Sequence, residues 1–356
     1  MTPILYADEL PGRTVRCNGE EYLYFAGTSY LGISRNEDFG KLLEEGMRRY
    51  GYNYASSRNG NIPLRIYDQA EAYLAAFTGA PAALTVSSGL LAGQLIANQL
   101  GGKSNFLYAP QTHPALWVDE TNPAEPITWH EWTQSLPGII AGSQADHFII
   151  LTNALDPLLA QPYDFSWIDE LPVNESVTLV VDDSHGLGVT GYEGGGIYNQ
   201  LSPYPNIRLI VIASLGKALG LPGGVILGSA ELIQCLRKRP LFSGASPMPP
   251  AYLYAFMQGK GIYQTARRQL LKNVEYFTEP ARKSKLFHFT PDYPVFYTSD
   301  CRLYEFLRTR KILISCFPYP TPESVPLTRI VLNSLHTKDD LDRLSQAIRH
   351  YQQETP

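Results

Sequence analysis

Thr178-Leu179-Val180-Val181-Asp182-Asp183-Ser184-His185-Gly186 is a β-rich apolar run that stops at two acids and a histidine. One run further on, Leu209-Ile210-Val211-Ile212 leads into Ala213-Ser214-Leu215-Gly216-Lys217-Ala218-Leu219-Gly220. Working outward, further short β-rich runs lie at 83–86, 104–108, 147–152 and 223–228, separated by helix-like or loop segments. Such alternation favours an α/β fold with a mostly parallel central sheet covered by helices. In sheets of that kind ligands bind beyond the carboxyl ends of the strands. Asp182 and Lys217 both stand just past such ends.

Toward the N-terminus, a turn at Asn18-Gly19 joins two extended stretches. Amphipathic helices are expected over 38–50 and 67–78, with a polar Gly/Asn-rich loop over 51–63. After Pro247 a long helical stretch is expected, then strand 294–298, helix 301–310, strands 312–316 and 328–332, and helix 337–352. The expected organisation is an N-terminal segment (1–35), a large cofactor-binding domain (36–250), a connecting helix (251–280) and a small C-terminal α/β domain (281–356).

Composition excludes several classes. The chain of 356 residues is 44% hydrophobic and 18% charged, the profile of a folded enzyme. A net charge of −5 without a Lys/Arg tract argues against nucleic acid. The four cysteines are scattered, so neither a zinc site nor a disulfide framework is expected. With no signal-peptide pattern and no spanning apolar run, a cytoplasmic protein and no membrane partner are the expectation.

The candidate chemistry rests on a lysine one strand away from an acid and a histidine. An amine forms a Schiff base with an aldehyde. A carboxylate keeps a pyridine nitrogen protonated, so that the ring withdraws electrons from a carbanion. The combination suggests pyridoxal phosphate. Ser87-Ser88-Gly89-Leu90 opens a helix after a strand and offers backbone N–H groups to a phosphate, although many strand–helix turns contain Ser-Gly. His113 is either a stacking ring or an ordinary loop histidine. A metal site from Asp182, Asp183 and His185 lacks a second histidine. A nucleotide P-loop at Gly216-Lys217 fails, because Val211 stands where its first glycine is needed and Ala218 replaces Ser/Thr.

Taken in order, these segments resemble the α-oxoamine synthase branch of fold-type I pyridoxal phosphate enzymes. Thr28-Ser29-Tyr30-Leu31-Gly32 is similar to the family's Asn-x-Tyr-Leu-Gly. Val181 to Gly191 follows its acid–acid–small–His–Gly–x–Gly motif, and Ser214-Leu215-Gly216-Lys217 its Thr/Ser-x-Gly-Lys. The resemblance implies a PLP-dependent transferase in which Lys217 binds the cofactor aldehyde, Asp182 pairs with the ring nitrogen and His185 with the ring hydroxyl. His113 would stack on the ring. Ser88, Gly89, Leu90 and Ser214 would hold the phosphate. Ser246 would reach the neighbouring subunit's phosphate, implying a homodimer with shared active sites. Ser57, Arg58 and Asn59 resemble a segment near the acyl substrate.

The chain departs from the family at several points. Phe317 stands where an arginine grips the substrate carboxylate, and a phenyl ring cannot make that bidentate pair. Arg329 or Arg58 is the expected substitute. Tyr67 replaces a histidine, Gly93 an asparagine, and Asn153-Ala154-Leu155-Asp156 a Glu-Gly-x-x-Ser segment. The reading is an acyltransferase-like enzyme that condenses an amino acid or amine with an acyl thioester, from acyl-CoA or an acyl carrier protein. The alternatives are a PLP-dependent aminotransferase or lyase, and a PLP-binding protein with eroded activity.

Overall fold

The computed structural model describes residues 5–101, 105–118, 127–171, 177–318 and 324–354. In chain order its strands are β1 (Thr14–Cys17), β2 (Glu20–Phe25), β3 (Ala82–Val86), β4 (Asn105–Tyr108), β5 (Phe148–Asn153), β6 (Val177–Asp182), β7 (Ile207–Ser214), β8 (Gly224–Gly228), β9 (His288–Phe289), β10 (Val295–Thr298), β11 (Ile312–Pro318) and β12 (Pro326–Val331). Two compact units emerge. The larger comprises Glu37–Pro157 and Pro162–Lys260; the smaller comprises Met1–Asn36, Leu158–Gln161 and Gly261–Pro356.

The large unit carries a six-stranded sheet in the order β3-β8-β7-β6-β5-β4. Strands β4 to β7 are parallel, as the alternation implies. β8 runs antiparallel to both β7 and β3. The reason is local: Leu215 donates to the Gly223 carbonyl at 2.9 Å, closing a tight reversal between β7 and β8. A parallel return would need a crossover of a dozen or more residues. Every residue of β5, β6 and β8 is buried. Ile149, Val180, Ile210 and Ile226 pack against Leu95 and Ile96 of helix Gly89–Leu100 and Ile233 and Leu236 of helix Ala230–Arg237. Each such aliphatic side chain contributes about 1.5–3 kcal/mol by burial. This core fixes the carboxyl ends of the parallel strands as a rigid edge.

The long helical stretch expected over 251–280 is two helices, Pro250–Gln258 and Lys260–Ser284. Gly259 separates them, its N–H donating back to the Ala255 and Phe256 carbonyls. Glycine has a low helical propensity, and here it ends the first helix.

The small unit has its own sheet, β1-β2-β11-β12-β10-β9. Asn18 (φ 52°) and Gly19 (φ 78°) make the turn between β1 and β2, the left-handed pair that a two-residue hairpin requires. His336 is buried at the centre of this unit, stacked on Phe25 with ring centroids 4.1 Å apart. Its Nδ1 accepts the Asn333 N–H at 3.0 Å, which leaves Nε2 to donate to the Tyr24 carbonyl at 2.9 Å. The ring is therefore held neutral, and burial pushes its pKa down to about 4. Between that value and the ordinary one near 6.5, the unfolded chain binds a proton that the folded chain does not. Stability from this group is present at neutral pH and is lost as pH falls through that window, by about 3 kcal/mol in all. Urea titration should show the difference in stability between wild type and His336→Gln shrinking from pH 7 to pH 4.5. A difference that stays constant over that range would exclude this titration.

Candidate active site

Strand pairing sets Asn153, Asp182 and Ile212 side by side at the carboxyl edge of the large sheet. Asp182 is 8% exposed. Its Oδ1 accepts the Ser184 N–H at 2.9 Å, and its Oδ2 lies 3.7 Å from Nδ1 of His113. That nitrogen accepts the Ala115 N–H at 3.1 Å, capping the turn Pro114–Leu116. An acceptor nitrogen carries no proton, so the imidazole is neutral and its contact with Asp182 is not an ion pair. Burial lowers the His113 pKa; the Asp182 charge opposes this and the Lys217 charge adds to it. The same Lys217 charge acts on Asp183. Amine, imidazole and the two acids thus share one electrostatic neighbourhood.

The two adjacent acids do different work. Asp183 is buried, accepts the Ile197 N–H at 2.8 Å, and is pushed up to about 7 chiefly by burial. A Cβ at Gly186 or Gly196 would lie 2.0 or 2.1 Å from its carboxylate oxygens. Asp183 therefore braces the glycine loop, while Asp182 is the acid beside His113. Gly188 (φ 90°) lets that loop close on the lysine segment, where an added Cβ would meet Ala218 at 2.7 Å.

Lys217 is partly buried in the loop between β7 and β8, which Leu221 pins by donating to the Leu215 carbonyl at 2.9 Å. At the start of that loop, the Ser214 N–H donates to Ser184 Oγ at 2.8 Å. Ser88 caps helix Gly89–Leu100 by accepting the Leu91 N–H at 3.0 Å. The first-turn N–H groups of Gly89 and Leu90 have no acceptor within the helix. A Cβ on Gly89 would sit 2.9 Å from Ser214 Cβ, so this helix terminus is pressed against the end of β7. Such a terminus suits an anion. Buried acid, neutral imidazole, lysine and helix terminus on one edge fit a phosphorylated heterocyclic aldehyde. His185 is partly exposed in the turn after β6.

Comparison with known proteins gives the same direction. The family model for aminotransferase class I and II matches residues 29–348. The chain belongs to the aminotransferase class I and II family. Among its relatives, the 8-amino-7-oxononanoate synthase of Petrotoga mobilis is 27% identical over 351 residues, covering 93% of this chain and 88% of that one. The 8-amino-7-oxononanoate synthase of Dechloromonas aromatica is 30% identical over 247 residues, covering 67% of this chain but 64% of that relative. Serine palmitoyltransferase from S. paucimobilis with bound PLP and myriocin superposes with a TM-score of 0.83 at 13% identity, over 99% of this chain and 92% of that one. 8-Amino-7-oxononanoate synthase from Francisella tularensis gives 0.72 at 23%, over 94% and 99%. These structures establish the fold-type I architecture. The enzyme is a PLP-dependent transferase of the α-oxoamine synthase kind.

Several departures from the family now have a physical account. Asn153, in place of a glutamate, accepts the His113 N–H at 3.1 Å and donates to the Gln111 carbonyl at 2.7 Å. It orients the His113 loop, a role sequence alone did not reveal. At Gly93 a Cβ would lie 2.1 Å from the Ala115 carbonyl oxygen, so the family's asparagine has no room. Tyr67 donates to the Met248 carbonyl at 2.8 Å. Asp156 bonds the Tyr163 hydroxyl, whose ring stacks on Trp129 at 3.9 Å.

Ser57 donates to the Ser243 carbonyl at 3.0 Å and Asn59 to the Arg237 carbonyl at 2.7 Å. Arg58 is turned inward onto Glu71 and is 5% exposed at its side chain. Ser246 is exposed in the loop before helix Pro250–Gln258. Arg329 is buried on β12 of the small unit, and Phe317 is 41% exposed on β11, opposite Leu327. Tyr319 and Pro320 lie outside the described residues. Glu71 and Arg237 were absent from the sequence-derived candidates. The available signal was an acid among apolar helix positions, Ile66, Tyr67, Ala70 and Leu74. Among the described residues no cluster of His, Cys, Asp and Glu could hold a metal, and no helix is long and apolar enough to cross a membrane.

Proposed function

We propose that this enzyme joins the α-carbon of an amino acid or amine to the acyl group of a thioester carried by CoA or a carrier protein. The observation that carries the reading is the grouping of Asp182, His113 and Lys217 at one strand edge, in a chain aligned over nearly its whole length with 8-amino-7-oxononanoate synthases. Bound pyridoxal phosphate supplies the electron sink for a carbanion. Asp182 would hold a positive charge at the ring nitrogen, and neutral His113 would pack against the ring. Gly89, Leu90 and Ser214 hold the phosphate, with Ser88 fixing the helix terminus. Lys217 Nζ would hold the aldehyde and would carry the α-proton of the amino substrate. His185 donates to the ring hydroxyl. In a homodimer with shared sites, Ser246 reaches toward the phosphate of the partner subunit.

The departure at Phe317 bears on the substrate rather than the cofactor. With Arg58 engaged by Glu71, the carboxylate grip expected of it is missing, which favours an amino substrate held by contacts other than that guanidinium. The test is release of free thiol from a panel of acyl thioesters paired with amino acids and amines. Thiol should appear only with the correct pair. Amino transfer to a keto acid without any thioester would assign an aminotransferase instead. No reaction across the whole panel would favour a cofactor-binding protein without turnover.

A further inference from the structure

Beneath the Ser87–Gly89 turn, the buried carboxylate of Glu71 receives two arginines. Arg58 Nη1 donates to Oε1 at 2.5 Å and Arg58 Nη2 to Oε2 at 3.1 Å, while Arg237 Nη2 also donates to Oε2. Thr85, two residues before Ser87, is fastened to the same group. Its N–H and hydroxyl donate to Oε1 at 2.7 and 2.8 Å, and its carbonyl accepts from Arg58 at 3.2 Å. The Arg58 guanidinium also lies 4.4 Å from the Tyr67 ring centre. A cavity of about 10 Å³, lined by Arg58, Thr85, Ser87, Leu91, Phe242 and Ser246, joins this network to the turn above it.

Two guanidiniums on one carboxylate leave a net charge of +1, whereas Arg58 and Glu71 alone would be neutral. Asp68 also approaches Arg237 at 3.4 Å, but its side chain is 67% exposed, so water screens that pairing. Through Thr85 and Arg58 the network reaches the turn that opens a helix N-terminus, itself partly positive. We propose that Arg58, Glu71 and Arg237 are positioning residues that hold the β3–helix turn in place and, through the second arginine, select a phosphorylated cofactor over its unphosphorylated form. The inference rests on the placement of the phosphate at Gly89 and Ser214 proposed above.

The test compares the affinities of full-length protein, stripped of cofactor, for pyridoxal phosphate and for pyridoxal, followed by absorbance. Arg237→Met should weaken pyridoxal phosphate by roughly fivefold and leave pyridoxal unchanged. Arg237→Lys should restore most of the selectivity. A purely structural role would weaken both ligands together, and that result overturns the proposal. Ser214→Ala, measured in parallel, separates the two layers of the argument. Selectivity that falls in Ser214→Ala but not in Arg237→Met overturns the role of the network alone. Selectivity unmoved in both overturns the phosphate placement, and the inference with it. Arg237→Gln, which keeps a donor to Glu71, replaces the methionine variant should that one not fold.

Discussion

Lys217→Ala is expected to eliminate covalent retention of the cofactor and lower kcat by about 10⁴ or more, since we propose the residue both as attachment point and as proton carrier. The fold should survive. The loop holding Lys217 is pinned by backbone bonds between Leu215, Leu221 and Gly223, none of which uses the lysine side chain. Thermal unfolding of the variant should therefore stay close to wild type. Borohydride reduction followed by peptide mapping reads the attachment directly: wild type carries the label on the Lys217 peptide, and the variant carries none. A label persisting at another lysine would move the site.

Asp182→Asn is expected to keep the cofactor but lower kcat by about 10³, because a neutral amide cannot hold a proton on the ring nitrogen. Its design follows from the geometry. An asparagine oxygen still accepts the Ser184 N–H that Oδ1 accepts now, so the turn after β6 is preserved. Nor does the neutral His113 lose an ion-pair partner, because Nδ1 is already engaged with the Ala115 N–H. Steady-state rates at matched cofactor occupancy, measured by absorbance, provide the check. Activity within tenfold of wild type would remove Asp182 from the proposed role.

The neighbouring acid shows where sequence reading reached its limit. Asp182 and Asp183 are indistinguishable by type, and both follow the same apolar run. Asp182 ends β6, whereas Asp183 opens the turn that follows, its carbonyl accepting from Gly186 and Leu187. Which acid stands at the site depends on where the His113 loop and the Gly186–Gly196 loop pack, and those contacts come from distant parts of the chain. Arg58 shows the same limit. A Ser-Arg-Asn loop segment suggests a guanidinium available to substrate, but Glu71, a helix away in sequence, claims it. Two arginines and a threonine satisfy one buried carboxylate, and removing a partner from such a pair costs about 3–5 kcal/mol, so once Glu71 is buried the guanidinium stays on it.

What the chain order alone determined was the run of aliphatic strands, the helices between them, and the placing of Asp182 and Lys217 at strand ends. Periodicity and burial preference are properties of a few consecutive residues, so they can be read locally. Folding in three dimensions decided the antiparallel course of β8, the division of labour between two adjacent acids, the neutral state of His113 and the inward turn of Arg58. Each of these depends on hydrogen-bond partners supplied by segments far away in sequence, and such partners are specified only once the sheet has assembled.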